Sequence, residues 1–271
     1  MVMIMTNLWK SANYRSKCRY LIDTEIYEYD ISKANISVLR EANAISQGMY
    51  DYLYAAPKQE RSVTIGKLQG SDPNITEILK NGIANARKIF LESNRIEDSR
   101  ILAIRNDAIT YAGRPAEIVS VTPYVNFRQS GRYSSFYHIN TIDFLYFFDV
   151  VTQNEGLDIK GLGESAVDLH RHYMLEFLTE LFYTAQIEGI ENTILLLNFF
   201  RENYINKKLD INYYRELNPG SRFKLANMST VSTIYADWLT DYDKRYIDIG
   251  FNENILREFI KIYSSIYFKK G

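Results

Sequence analysis

Between Asn74 and Ser93 the residues Ile75, Ile78, Leu79, Ile83, Ala86, Phe90 and Leu91 recur at the spacing of one helix face. A few positions later come two short apolar runs, Ile101–Ile104 and Ala108–Tyr111, joined by Arg105-Asn106-Asp107. A stripe of helical period has to bury against another element. Two apolar runs split by a short polar turn read as an antiparallel hairpin. A long amphipathic helix that runs into a hairpin calls for helices packed on an antiparallel sheet, an α+β architecture.

The flanking segments fit that frame. Tyr20–Asp30 alternates and is rich in Ile and Tyr, which predicts a strand ending at Asp30. Ser32–Ala44 reads as the next helix, with Ser32 as its N-cap. Glu60–Leu68 fits a helix or an extended segment, and further strands are expected over Ile118–Phe127 and Ser134–Phe148. From about Glu164 the period becomes helical. Leu169, Met174, Phe177, Leu178, Leu181 and Phe182 mark one helix, Ile194–Ile205 a second, and Asn254–Tyr267 the last. Gly156, Gly161 and Gly163 suggest a soft boundary. The expected domains are therefore an α/β domain over 1–155 and a mainly α-helical region over 156–271.

Composition narrows the function classes. A net charge of −1 excludes a uniformly basic nucleic-acid coat, so any nucleic-acid contact has to come from local basic clusters. The lone Cys18 excludes an internal disulfide framework and a cysteine-built zinc site, and a reducing compartment is expected. Met1–Met5 is too short for a signal-peptide core, and the apolar runs Ile142–Val151 and Ile194–Phe200 are too short to span a bilayer. A soluble, cytoplasmic protein without membrane partners is expected, in the host cytoplasm if the source is viral. The 22 Tyr and 14 Phe suit a large core, base stacking, or both.

A two-metal phosphoryl-transfer site needs carboxylates held close together on rigid elements, because Mg²⁺ takes hard oxygen donors, usually one or two carboxylates. A carboxylate ending one strand beside another in a neighbouring hairpin turn meets that need, and Asp30 and Asp107 stand in those positions. The segment Tyr27-Glu28-Tyr29-Asp30-Ile31-Ser32-Lys33-Ala34-Asn35-Ile36 resembles motif A of the family A DNA polymerases, the class of bacterial DNA polymerase I. Lys33 and Asn35 stand in place of its Gln and Glu. Ile104-Arg105-Asn106-Asp107-Ala108-Ile109 resembles motif C, with Asn106 for His and Ala108 for Glu. Between them, Arg61-Ser62-Val63-Thr64-Ile65-Gly66-Lys67-Leu68-Gln69-Gly70 is similar to motif B. Both glycines match there, Arg61 stands for the nucleotide-binding Lys, Ile65 for the aromatic and Gln69 for the Tyr.

The resemblance covers about Tyr20–Gly113. It implies a palm-like antiparallel sheet with reduced fingers, no proofreading domain or usual thumb upstream of Tyr20, and the helical region as a thumb substitute. It also implies roles. Asp30, Asp107 and the main-chain carbonyl of Ile31 would hold Mg²⁺ or Mn²⁺. Arg61 would meet the triphosphate, helped by Lys58 and Lys67, and Asn35 would stand where the family discriminates the sugar. The activity implied is template-directed addition of nucleotides to a 3′ end, as in a small DNA polymerase of viral or mobile-element type. Its partners would be a template–primer, nucleoside triphosphates and accessory replication proteins. The alternative is a non-catalytic palm relative that binds nucleic acid or serves as an assembly subunit, which the loss of acids at Asn35 and Ala108 favours. A protein-interaction domain is the third reading.

Plainer roles stand beside each residue. Asp30 suits a helix cap or a surface ion pair, Asn106-Asp107 is good turn chemistry, and Arg61 suits a solvated helix face. Glu28 shares a face with Asp30 and is the reserve ligand. His170-Arg171-His172 places its histidines two apart, where helix residues do not face one another, and Lys160-Gly161-Leu162-Gly163 is too short for a phosphate loop. The stripes Phe177–Tyr183 and Phe199–Tyr204 read as core. Basic and aromatic residues interleave around Arg128, Arg132 and Tyr133, a pattern suited to nucleic acid. Similar clusters occur at residues 213–215, 222–224 and 268–270.

Overall fold

Two compact units divide the chain. The first ends at Arg132 and is interrupted by Arg19–Asp23, which belongs with the second, from Tyr133 onward. The computed structural model describes residues 7–161, 174–206, 208–209 and 250–270. Within them the protein is α+β, with two sheets and seven α-helices.

The first unit holds β1 (Asn13–Arg15), β3 (Ile26–Ile31), β4 (Ile101–Arg105), β5 (Ala108–Ala112) and β6 (Phe127–Tyr133) in the spatial order β1-β4-β5-β3-β6. The pairs β1/β4, β4/β5 and β5/β3 are antiparallel. The period of two along Ile-Tyr-Glu-Tyr-Asp-Ile sends Tyr27, Tyr29 and Ile31 to one face and Glu28 and Asp30 to the other. The first set joins Ile104, Ile109, Tyr111 and Phe127 in a core against the helices α1 (Ala34–Glu41) and α4 (Asn74–Ser93). Phe90 of α4 is fully buried and stacks on Phe127 with ring centroids 4.2 Å apart. Burial of one such ring stabilises by about 1.5–3 kcal/mol. Gly82 lets α1 approach α4, because a methyl there would overlap the Val38 side chain.

Two more helices, α2 (Gln47–Ala55) and α3 (Lys58–Ser71), complete this unit. The α2 helix is capped by Ser46, whose hydroxyl accepts the Met49 amide at 3.2 Å. Only Leu53 of α2 is buried, so it carries no stripe and escapes a periodicity reading. Glu60–Leu68 lies within α3 and is helical.

The second unit has the antiparallel sheet β2-β7-β8-β9, with β2 Tyr20–Leu21, β7 Ser135–Ile139, β8 Ile142–Phe148 and β9 Glu155–Lys160. Helices α5 (Met174–Ile187), α6 (Ile190–Ile205) and α7 (Gly250–Lys270) contribute to its core. Tyr137 and Phe182 stack at 4.5 Å, and the buried Tyr263 hydroxyl donates to the Tyr137 hydroxyl at 2.8 Å. The Phe177–Tyr183 stripe is core, with Tyr183 only partly buried. In the second stripe Phe200 and Tyr204 are core, but Phe199 is 69% exposed.

Several expectations need correction. Tyr20–Asp30 is two strands in different sheets, broken where Asp23 takes a positive φ of 51°. Ser32 does not cap α1. Lys33 occupies that place in the left-handed region, and the Ser32 carbonyl accepts the Ser37 hydroxyl. The Ile118–Phe127 strand reduces to one bridge, Ser120 to Asn126, because Pro123 lacks a donor for a ladder. Ser134–Phe148 is a hairpin, turned at Asn140 with φ 56°. The region beyond 155 is not mainly helical from its start, since β9 begins there. Gly156 is a strand residue seated under the Phe147 ring, and no linker. The helix expected from Glu164 enters the described residues as α5. Leu169, His170-Arg171-His172, Leu162, Gly163 and residues 213–215 and 222–224 lie outside them. No described helix is long and apolar enough to cross a membrane.

Candidate functional site

Asp30 and Asp107 are brought together by strand register. Asp30 pairs with Ala108 across β3/β5, and one step on the Ile31 amide donates to the Asp107 carbonyl at 3.3 Å. The two-residue turn is made by Asn106, whose φ of 51° is one that Asn tolerates. It is anchored from below: the Asn106 amide donates to the Ala12 carbonyl at 2.7 Å, and Arg87 donates to the Asn106 carbonyl. The guanidinium of Arg87 also grips the Trp9 carbonyl through Nε at 3.0 Å and Nη2 at 2.8 Å.

Above this turn opens a cleft of about 840 Å³. It unites the three segments that resemble polymerase motifs. Asp30, Ile31 and Asn35 come from the first, Arg61, Ile65 and Gln69 from the second, Asn106 and Asp107 from the third, with Lys58 three residues ahead of the second. The α3 positions on it are Lys58, Arg61, Ser62, Ile65 and Gln69, one helix face by spacing. Lys67 lies on another face, exposed and outside the cleft lining. Gly66 and Gly70 are helical, and a side chain at either would meet nothing within 4 Å.

The charge of the cleft is lopsided. Lys10, Lys33, Lys58, Arg61, Lys80, Arg87 and Arg128 face only Asp30 and Asp107 along its lining. Arg128 forms a fork on Asp30, with Nε 2.7 Å from Oδ1 and Nη2 3.2 Å from Oδ2. Arg61 donates to the Ala56 carbonyl, and the Lys33 ammonium sits 3.3 Å from the centre of the Tyr54 ring. Burial pushes the Asp107 carboxyl above the usual aspartate range. A backbone hydrogen bond to the carboxylate opposes this, the Asp30 charge adds to it, and Arg87 and Arg128 pull down more weakly.

The remaining expected residues fall elsewhere. Glu28 is buried, accepting from Thr110 at 3.1 Å and Ser130 at 3.3 Å, with Arg105 4.0 Å away, and is not among the cleft residues. Arg132 is exposed and pairs with Glu25 at 2.9 Å. Tyr133 is buried with its hydroxyl on Asp158, so its ring has no free face for a base. Sequence reasoning missed Lys10, Lys80 and Arg87. Arg87 left one signal, a charge four residues from both Ile83 and Leu91 on the apolar stripe of α4.

Two carboxylates and a main-chain carbonyl suit a hard cation such as Mg²⁺, which completes its shell with water and phosphate. No group of three or more His, Cys, Asp or Glu with metal-binding geometry occurs among the described residues. A phosphate-sized anion suits the remainder of the lining, where cations dominate.

The fold and cleft define an α+β protein with a cationic pocket at the ends of the central strands of an antiparallel sheet. The chain belongs to the family of the bacteriophage PBS1 gene 130 protein, whose model matches residues 3–265. Comparison with curated proteins gave no match.

Proposed function

We propose that this phage protein is a minimal palm-type nucleotidyltransferase that adds nucleotides to a 3′ end of nucleic acid. The observation that carries the reading is the convergence of Asp30, Asp107, Lys58 and Arg61, from three separate segments, on one cationic cleft. Asp30, Asp107 and the Ile31 carbonyl would hold Mg²⁺ or Mn²⁺. When bound, the metal supplies charge neutralisation at the reacting phosphate. Arg61 and Lys58 hold the triphosphate along the α3 wall, Arg61 through a charge-assisted fork. Arg87 keeps the Asp107 turn in place from behind. Asn35, short and uncharged, lines the cleft where the sugar would lie. The site would work in the host cytoplasm on a template–primer, with accessory replication proteins.

The test is primer extension with Mg²⁺ or Mn²⁺. Product is expected with the wild type and is lost in Asp30→Ala and Asp107→Ala. A second reading, a non-catalytic nucleic-acid-binding or assembly subunit, draws support from the Arg128–Asp30 fork, which already neutralises one of the two acids. It predicts nucleic-acid binding without extension in wild type and variants alike.

A further inference from the structure

Beside the cleft lies a second pocket, of about 290 Å³, walled by Tyr50, Tyr54 and Tyr124 and edged by Ser37, Asp51 and Asn126. We propose that it is a nucleobase site, which takes one unpaired base of a single strand whose phosphate lies in the cationic cleft. The proposal rests on the reading of that cleft as a phosphate site.

Three observations carry it. The first is the chemistry of the walls. Tyr50 meets Tyr54 at 5.5 Å between ring centroids and Tyr124 at 5.4 Å, edge-on, so the rings already form an aromatic box on one side of the pocket. Every base offers a π-face to such rings. The edge is polar in both senses: the Asp51 carboxylate and the Ser37 oxygen can accept, while the Asn126 amide nitrogen can donate, as a base edge requires.

The second is continuity. Ser32 and Tyr54 line both cavities, so a ligand can place a charged end in one and a flat end in the other. The third is the residue at the junction. Lys33 holds a left-handed backbone, φ 51° and ψ 44°, which is strained for a side chain of its kind. That conformation sets its ammonium on the Tyr54 ring and within reach of the Tyr54 carbonyl. A cation fixed between an aromatic box and a cationic cleft matches the boundary between a base and its phosphate. Tyr54 is 47% exposed, so the box is open to a ligand.

The test uses the full chain and a short single-stranded DNA at low salt, where phosphate contacts are strongest. Affinity is compared with that for a strand of equal length lacking bases throughout. Wild type is expected to bind the intact strand roughly 5- to 100-fold more tightly, the range for stacking of one base. Tyr124→Ala, outside the cleft lining, should lose most of that ratio and keep the affinity for the base-free strand, and Tyr54→Ala should lose the ratio as well. The base-free strand needs no variant, so a folding defect cannot imitate the result. Equal affinity of the wild type for both strands overturns the pocket and leaves the cleft reading standing, as does a ratio that survives both variants. Failure of both strands to bind overturns the pocket and the cleft reading together. Free 2-aminopurine nucleoside triphosphate is the second probe. If its fluorescence is quenched through Tyr54 and Tyr124 while single strands do not compete, the site belongs to the free nucleotide and the proposal as stated falls.

Discussion

Arg128 engages both oxygens of Asp30 at once, from β6 to the end of β3. The pair is open on the arginine side, which is 68% exposed, so its contribution to stability is small, below about 1 kcal/mol. Its consequence lies in competition: a cation that would use Asp30 has first to displace the fork. Arg128→Gln is therefore expected to tighten Mn²⁺ binding by roughly 2- to 5-fold, the equivalent of an exposed ion pair. Calorimetric titration of the metal-free protein reads this directly. Unchanged or weaker binding would show that Asp30 is not a metal group.

Arg87 is a charged group inside an apolar stripe, and its worth is the two carbonyls it satisfies. Replacement by Met keeps the stem and strands Trp9 and Asn106. A loss on the order of 2–3 kcal/mol is expected, since each buried acceptor left bare costs about 1–3 kcal/mol. Urea unfolding measures it, and a midpoint equal to wild type would refute the anchoring role.

Asp107 supplies a pH signature. Its folded-state value lies above its unfolded one, mainly through burial, so the native state holds the proton more tightly. The stabilisation from this group is complete below the unfolded-state value and is lost as pH rises through the folded one. Asp107→Asn should flatten that descent in metal-free buffer and raise the melting temperature at neutral pH. Thermal scans across the acidic range decide it, and a variant with the wild-type slope would sink the assignment.

Gly82 gives a packing test. Gly82→Ala drives a methyl into Val38 and should cost about 1–3 kcal/mol, despite the better helix propensity of Ala. Adding Val38→Ala should recover part of that loss. Simple additivity of the two changes would mean that the helices do not meet there.

The α+β class, the long helix and the hairpin were legible because each carries its own period or turn. The approach of Asp30 and Asp107 was legible for a related reason, since a strand end and a hairpin turn fix where side chains emerge. Asn35, Lys58 and Arg61 line the same cleft from helices, and were pointed to only by the resemblance of their segments, or for Lys58 the adjoining one, to polymerase motifs. What stayed hidden lacks a local signature. The α2 helix buries only Leu53, so its tyrosines looked like composition and not like a wall. Tyr133 is taken up by Asp158, a partner distant in sequence. Lys67 sits two positions from Ile65 and Gln69, yet points away from the face they share, which an unresolved choice between helix and strand could not decide.

The strand Tyr20–Leu21 is a loan from one unit to the other. It pairs with Phe136 and Tyr137 while its neighbour Asn13–Arg15 pairs with Ala103–Arg105. A chain emerging from the ribosome cannot complete either pairing until those late partners exist. No single cut at Arg132 yields two intact halves: the amino-terminal fragment would keep an orphan strand, and the carboxy-terminal one would present β7 as a bare edge. Expression of the cleft-bearing unit alone therefore calls for replacing residues 19–23 with a short polar turn, or for supplying the second half in trans.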